Sequence, residues 1–131
     1  MSMLTSDSAT RTAKPSLPKL LLHLEGLAVL IAGVGLYAQL GFNWWMFGLL
    51  LLAPDLAMLG YLINLRAGSV GYNLFHTYAL PLALAAIGLG AGWQPGLQLA
   101  LIWLAHIGMD RSVGYGLKYP THFKDTHLAR V

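Results

Sequence analysis

The sequence predicts an all-α integral membrane protein, a four-helix bundle with up-down-up-down topology. Of its 131 residues 56% are hydrophobic and only 10% are charged, against roughly 25% charged in an ordinary soluble domain. The charges are also unevenly placed, since none falls in residues 26–54 or in residues 67–109. Long uncharged stretches bounded by charge are typical of membrane spans.

Charge and composition exclude several classes of function. The net charge is +3, but no dense run of Lys and Arg is present, so we expect no nucleic-acid partner. The chain contains no cysteine, which excludes disulfides, zinc–thiolate sites, iron–sulfur clusters and thiol nucleophiles. Any metal or catalytic site must therefore use His, Asp, Glu or hydroxyl groups.

Hydropathy and turn residues divide the chain into three parts. Residues 1–16 lack an apolar period and are predicted to be a disordered tail. Residues 17–117 are predicted to form the bundle, with connections at residues 39–43, 64–68 and 88–96. The predicted spans are residues 17–40, 43–65, 69–89 and 96–117. Residues 118–131 form a C-terminal segment, because Pro120 is expected to end the last helix.

Basic residues give the expected orientation, since they are enriched on the cytoplasmic side of membrane proteins. They precede the first span, lie between the second and third, and follow the fourth: Arg11, Lys14, Lys19, Arg66, Lys118, Lys124 and Arg130. We therefore expect both termini to be cytoplasmic, in the bacterial inner membrane, with lipids as neighbours and a homodimer as an open alternative.

Of the ionisable residues inside the predicted spans, where each costs at least ~2.5 kcal/mol, five lie at a similar depth. They come from all four spans: Glu25, Asp55, His76, His106 and Asp110. At 1.5 Å per residue, all five lie about 10–16 Å from the cytoplasmic end. The sequence therefore predicts one shared polar layer in the cytoplasmic half of the bilayer.

Helical periodicity indicates how this layer is built. His106 and Asp110 are four residues apart and share a face. Pro54 and Pro81 each remove a backbone donor next to the layer, which predicts kinks there. On the first span, Ala28 and Ala32 lie above Glu25 and are expected to form a small-residue contact with a neighbouring helix.

Three interpretations of the layer stay open. The first is a metal site with His76, His106, Asp110 and Asp55 as ligands, because imidazole and carboxylate on facing helices form the metal sites of helical bundles. The second is acid–base chemistry without a metal, in which Asp55 or Glu25 is the acid of an isomerisation or cyclisation. The third is structural: the groups join helices, and Asp110 or Asp55 neutralises Arg111 or Arg66.

The C-terminal segment has two compatible interpretations. Its aromatic, His and Asp residues are expected either to cover the cytoplasmic mouth as a lid or to anchor at the lipid headgroups. His122 and His127 are weaker candidate ligands carried by such a lid. His23, near the start of the first span, is expected at the membrane interface.

Several strings in the chain resemble a family of small bacterial membrane proteins. They are LAPD (52–55), MLGY (58–61), YN (72–73), HT (76–77), WLAH (103–106), DR (110–111), GYGLKYP (114–120) and FKDTHL (123–128). The family is the one called domain of unknown function 4260, and the resemblance covers roughly residues 20–128. It implies membrane insertion and importance of these positions, without an activity. A looser similarity, in the intramembrane His and Asp, is to small membrane-bound metal-dependent hydrolases.

The leading functional hypothesis is a membrane enzyme that acts on a lipid or other apolar molecule with a divalent metal ion. Zinc would favour hydrolysis and iron an oxidation. Asp55 and Glu25 are the candidate catalytic carboxylates, and Arg111, Tyr115 or Lys118 is expected to hold an anionic head group. The alternatives are an oligomeric transporter or proton relay, and a structural membrane subunit without catalysis.

Overall fold

The computed structural model of this protein describes residues 14–131. Residues 1–13 of the predicted tail lie outside the described part. The elements in chain order are α1 (Leu17–Gln39), α2 (Trp44–Leu50), the 3₁₀ helix η1 (Ala53–Leu62), α3 (Leu65–His76), α4 (Ala79–Gly90), α5 (Gln94–Val113) and α6 (His127–Arg130). The described residues contain no strand beyond an isolated bridge between Lys118 and Thr126.

Three segments are long and apolar enough to cross a membrane: Leu17–Gln39, Trp44–Leu62 and Leu65–Gly90. Their outward faces carry large exposed hydrophobic side chains, as lipid contact requires; examples are Leu17, Ile31, Trp45, Leu49, Leu62 and Leu82. The fourth predicted span corresponds to α5, which is not among these segments. α5 carries Gln94, Gln98 and the polar residues of the site, which lower its hydropathy.

The sequence predicted a single helix over the second span, but the structure has two consecutive helical elements there. α2 ends at Leu50, and η1 follows from Ala53 with Pro54 in its first turn. Pro54 has no N–H to return to the carbonyl of Leu50, so the α-helical ladder is interrupted there. A 3₁₀ helix places residues three apart in line, and Asp55, Met58 and Tyr61 therefore follow one side of η1.

The third and fourth spans also differ from the prediction. The expected connection at residues 64–68 is helical, because the Asn64 side chain accepts from the Ala67 N–H at 2.7 Å and caps α3. α3 then stops at His76, Thr77 is extended, and α4 begins two residues before Pro81. α5 ends at Gly114, which is left-handed with φ 103°, rather than at Pro120.

α5 is the central helix of the fold and has the most buried residues. α1 crosses it through glycines: a Cβ on Gly26 would overlap the Arg111 Cβ, and one on Gly108 would lie 2.7 Å from the Gly26 carbonyl oxygen. Gly33 lies close to Ala105 on the same contact, where an added Cβ would be 3.6 Å away. Close backbone approach through small residues is typical of membrane helices.

The predicted contact face of α1 was wrong. Ala28 and Ala32 are exposed, whereas Gly26 and Gly33 are buried against α5. Glu25 is exposed as well. Because residues along α1 are apolar on nearly all sides, hydropathy did not distinguish the face that contacts protein from the face that contacts lipid.

The C-terminal segment folds back against α3. The Asn73 amide donates to the Lys118 carbonyl at 2.7 Å, and the Lys118 N–H donates to Asn73 Oδ1 at 2.6 Å. Leu128 is fully buried, and Thr126 caps α6 by accepting from the Ala129 N–H. This packing places Tyr115, Lys118 and Phe123 beside Asp55 and Asp110, where they line one cavity.

Candidate metal centre

Four ionisable side chains from three elements meet in one place. Asp55 comes from η1, His76 from the last position of α3, and His106 and Asp110 from one face of α5. Each offers one ligand atom, and these atoms lie within 4.8 Å of one another. We call this set the His–Asp cluster, and it contains all four residues that the sequence reading named as metal ligands.

The spacing within the cluster matches the edges of a small coordination polyhedron. His76 Nε2 lies 3.1 Å from Asp55 Oδ1 and 3.4 Å from Asp110 Oδ2. His106 Nε2 lies 3.2 Å from each of the same two oxygens, and the two Nε2 atoms are 3.1 Å apart. Ligands on a regular tetrahedron with zinc bond lengths of about 2.0–2.1 Å are roughly 3.3–3.4 Å apart.

The hydrogen bonding of His76 sets its tautomer. Its Nδ1 lies 2.8 Å from the Tyr72 carbonyl oxygen, which can only accept, so Nδ1 carries a proton and donates it. The neutral ring then directs the lone pair of Nε2 into the cluster. A metal-binding histidine commonly donates its other N–H to a carbonyl in this way.

Burial separates the cluster members. The side chains of His76 and His106 are 0% exposed and that of Asp110 is 10% exposed, whereas that of Asp55 is 37% exposed. His106 Nδ1 is buried without a hydrogen-bond partner among residues 14–131. Within the same residues neither Asp55 nor Asp110 forms an ion pair with an arginine; both face the histidines instead.

One cavity opens on the exposed side of Asp55 and has a volume of about 300 Å³. We call it the Lys118 cavity, and it is lined by Asp55, Met58, Tyr72, Asp110, Tyr115, Lys118 and Phe123. Lys118 is only 6% exposed, and its Nζ donates to the Phe123 carbonyl at 2.7 Å. Burial lowers the pKa of Lys118 from its usual value, against the opposing influence of Asp110 and Asp55.

A second cavity, of about 240 Å³, is lined by apolar residues. We call it the apolar cavity, and its walls are Leu50, Ala53, Pro54, Phe75, Leu84, Leu99, Ile102 and Trp103. The Trp103 indole N–H donates to the Phe75 carbonyl at 2.6 Å, and the two rings stack with centroids 5.7 Å apart. These two residues hold one wall next to the cluster histidines.

Glu25, one of the two candidate catalytic carboxylates, does not join the cluster, and neither does Arg111, which was expected to hold an anionic head group. They line a third cavity with Leu22, Thr77, Tyr78, Leu117 and His127. Arg111 donates to the carbonyls of His76 at 2.7 Å and Tyr115 at 2.9 Å, so it caps the broken end of α3. Glu25 is exposed and lines this third cavity rather than the cluster.

The remaining histidines also have other contacts. His127 Nδ1 accepts from the Leu117 N–H at 2.8 Å, and His122 is exposed on the C-terminal segment. Neither belongs to the metal-ligating group found among the described residues. His23 donates from Nδ1 to the Ser112 carbonyl at 3.0 Å and joins α1 to α5.

Two residues of the YN string (72–73), to which the sequence analysis gave no individual role, support the site. Tyr72 orients His76 through its carbonyl and stacks on the imidazole with ring centroids 3.7 Å apart. Asn73 holds Lys118 in place through two hydrogen bonds. The four-residue spacing from Tyr72 to His76 was a signal for the first role, whereas Asn73 contacts a residue 45 positions away, which no local spacing could indicate.

Together the fold and the cluster define an all-helical protein with membrane-type helices and a buried group of two His and two Asp. The family model described as domain of unknown function (DUF4260) matches residues 19–131, so the chain belongs to this family, as its motifs predicted. Comparison with curated proteins and with solved structures finds no match.

Proposed function

We propose that this protein is a membrane-embedded, metal-dependent hydrolase that acts on a lipid or other apolar molecule. The convergence of four ligand atoms at 3.1–3.4 Å separations carries the proposal. The Nε2 atoms of His76 and His106 are 3.1 Å apart, and the hydrogen bond from His76 Nδ1 to the Tyr72 carbonyl leaves a lone pair on His76 Nε2. Two nitrogens this close need a cation or a proton between them. A divalent ion satisfies both nitrogens and both carboxylates together.

The ligands divide into a permanent set and one exchangeable member. His76, His106 and Asp110 are buried and lie on the α-helices α3 and α5. Asp55 is partly exposed, lies on η1 and faces the Lys118 cavity. Catalytic zinc sites keep three protein ligands and leave the fourth position for water, so Asp55 is the ligand that yields this position.

In this mechanism the Asp55 carboxylate serves as the general base. A divalent ion held by His76, His106 and Asp110 would polarise the substrate oxygen and supply an activated water. Asp55 takes a proton from the water while the water oxygen bonds to the acyl carbon or phosphorus. The bond from that atom to the leaving oxygen breaks, and Asp55 returns the proton to this oxygen. Addition of one water therefore yields an acid and an alcohol.

The proposal places the chain in the bacterial inner membrane as an up-down-up-down bundle with both termini cytoplasmic. The three apolar segments surround α5 in part, and the basic residues flank them. Burial of α5 supports its role as the fourth membrane-spanning helix, because a helix enclosed by protein can carry the polar site residues. The C-terminal segment then lies at the cytoplasmic mouth as a lid over the cluster.

Metal content is the direct test. We expect protein purified in a neutral detergent, without a metal-affinity step, to hold about one zinc ion per chain by elemental analysis, since the cluster supplies one four-ligand site. His106→Ala and Asp110→Asn should lose most of this metal. The matched controls are His122→Ala and Glu25→Gln, which remove a His and a carboxylate outside the cluster.

Metal-free wild type that is folded and monodisperse would overturn the proposal. So would metal retained in both cluster variants, because the ion would then be held elsewhere. Iron in place of zinc would redirect the chemistry from hydrolysis to oxidation. The probe for hydrolysis is p-nitrophenyl dodecanoate in mixed micelles, a long-chain ester with a chromogenic leaving group.

A second candidate, a proton relay, has one specific observation in its favour. Oδ1 of the partly exposed Asp55 side chain contacts both His76 and His106 at 3.1–3.2 Å, which provides a path for a proton from the Lys118 cavity into the bundle. This candidate predicts no stoichiometric metal and a proton flux in proteoliposomes that is lost in Asp55→Asn. Metal content therefore separates the two candidates.

A further inference from the structure

The His–Asp cluster lies between the apolar cavity and the Lys118 cavity. On α5, Leu99, Ile102 and Trp103 line the first, and Asp110 lines the second. His106 falls between them in sequence. Because successive turns of a helix rise about 5.4 Å, the two cavities are at different heights on this helix with the cluster between.

The other two elements repeat this arrangement. In the α2–η1 segment, residues up to Pro54 line the apolar cavity, whereas Asp55 and Met58 line the Lys118 cavity. On α3 the order is reversed, with Tyr72 on the Lys118 cavity and Phe75 on the apolar cavity. A reversal is expected if α3 runs opposite to η1 and α5. An elongated molecule that occupies both cavities at once would therefore extend past the cluster.

The Lys118 cavity contains a buried positive charge that forms no direct ion pair with Asp55 or Asp110, the two carboxylates lining it. Lys118 is 6% exposed, and among the described residues it forms no ion pair. Its ammonium lies 4.6 Å from the Tyr72 ring centroid and 3.5 Å from that of Phe123. A charge so poorly solvated favours an anionic partner. A divalent ion held by Asp55 and Asp110 would compensate their charges, and the cavity would then favour an anion more strongly.

From these observations we infer that the substrate is an amphiphile with one hydrocarbon chain and an anionic head group. The chain occupies the apolar cavity, the head group pairs with Lys118, and the bond to be hydrolysed lies between them at the cluster. This inference rests on the proposed function for the reaction, but the binding geometry depends only on the two cavities.

Binding of alkyl phosphates to the purified protein in maltoside micelles tests the inference. Dodecyl phosphate should bind at least about tenfold more tightly than butyl phosphate, because the longer chain buries more apolar area. Lys118→Met should weaken dodecyl phosphate binding roughly tenfold or more, since it removes a charged hydrogen-bond donor. Lys118→Arg should restore most of the affinity. Lys124→Met is the control, because Lys124 is exposed on the same segment.

A second pair of variants tests the hydrocarbon chain independently of Lys118. Leu84→Phe enlarges a side chain that lines the apolar cavity, and Leu82→Phe makes the same change on the exposed side of α4. We expect the preference for dodecyl over butyl phosphate to be lost in the first variant and kept in the second. Metal content and thermal stability of each variant show whether the fold and the cluster remain intact.

The outcomes separate this inference from the proposed function. If metal is bound but dodecyl phosphate binds no better than butyl phosphate, or if Lys118→Met behaves like Lys124→Met, the amphiphile inference is overturned and the metal site stands. If no metal is found and both variant pairs behave as expected, the amphiphile site is supported while the hydrolase is overturned.

Discussion

His76 is held from three sides, and each contact has a different physical role. Its Nδ1 donates to the Tyr72 carbonyl, and the Tyr72 ring stacks on the imidazole at an interplanar angle of 7°. The Arg111 guanidinium donates to the backbone carbonyl of His76. The first contact sets the tautomer, the second restricts ring rotation, and the third satisfies the carbonyl left free at the end of α3. Such pre-organisation lowers the cost of ordering a ligand on metal binding.

Asp55→Asn should separate metal binding from turnover. We expect this variant to keep its metal, because His76, His106 and Asp110 remain as ligands. Hydrolysis of p-nitrophenyl dodecanoate should fall about 100-fold or more, since general-base catalysis contributes that much. The measurements are the metal-to-protein ratio and kcat on the same preparation.

Glu25→Gln is the matched control for Asp55→Asn, because Glu25 is a carboxylate on another cavity. Unchanged kcat in Asp55→Asn would refute the role of Asp55 as base. Loss of metal in Asp55→Asn would instead make Asp55 an obligatory ligand, and the assignment of an exchangeable position would be wrong.

At the scale of elements, glycines on α1 and α5 allow the two backbones to approach. A Cβ on Gly26 would overlap Arg111 and lie 2.8 Å from the Ser112 nitrogen. The same helix carries Gly35, where nothing lies within 4 Å of an added Cβ. Gly26 and Gly35 therefore lie on the same helix and differ in whether another element packs closely against them.

Gly26→Ala should destabilise the fold by about 1–3 kcal/mol, because overpacking forces α1 and α5 apart. Gly35→Ala should leave stability unchanged or raise it by about 0.5–1 kcal/mol, since alanine is the better helix former. Thermal unfolding in a fixed detergent measures both. Equal stability of the two variants would show that α1 does not pack on α5 through Gly26.

The C-terminal segment contains a pH-sensitive contact outside the membrane-type helices. Burial lowers the pKa of His127 below its usual 6.5, and the positive charge of Arg111 acts in the same direction. The unfolded segment therefore binds a proton at a higher pH than the folded one. Stability from this residue is present above pH 6.5 and falls as the pH drops towards the folded pKa.

The expected result is faster opening of the segment at pH 5.5 than at pH 7.5. Hydrogen exchange at the Leu117 amide, which donates to His127 Nδ1, measures it after correction for intrinsic exchange. His127→Asn keeps an acceptor that does not titrate, so its protection should not change between the two pH values. His122→Ala should behave as wild type. A pH dependence that survives in His127→Asn would assign the effect to another group.

At the scale of the whole molecule, the cluster ties together segments that are otherwise joined by short connections. Its ligands come from η1, α3 and α5, so an ion that binds only the folded chain stabilises all three against separation. The size of this effect follows from mass action rather than from any single contact.

Removal of the metal should lower the thermal midpoint. At a free ion concentration about 1,000 times the Kd, binding contributes about 4 kcal/mol. Wild type treated with a chelator should therefore unfold at a lower temperature, and added zinc should restore it. Asp110→Asn should respond little to chelator or zinc, and a full response in that variant would place the stabilising ion outside the cluster.

The cluster itself was largely predictable from the sequence, for reasons that differ among its members. His106 and Asp110 share a face through helical periodicity alone, which is a local property. Asp55 and His76 were placed at the same depth by counting residues from the predicted cytoplasmic end of each span. The same count included Glu25, and it failed there because depth does not determine the direction in which a side chain points.

By itself, the sequence determined that the described chain is helical, that three segments are apolar enough to cross a membrane, and that a His/Asp group was available for a site, because these depend on composition and local spacing. Only the tertiary structure decided which face of α1 meets α5, where Pro54 and Thr77 interrupt the helices, and which cavities flank the cluster. Helices that contact lipid are apolar on most sides, so their rotation is determined by close packing at particular glycines rather than by hydropathy.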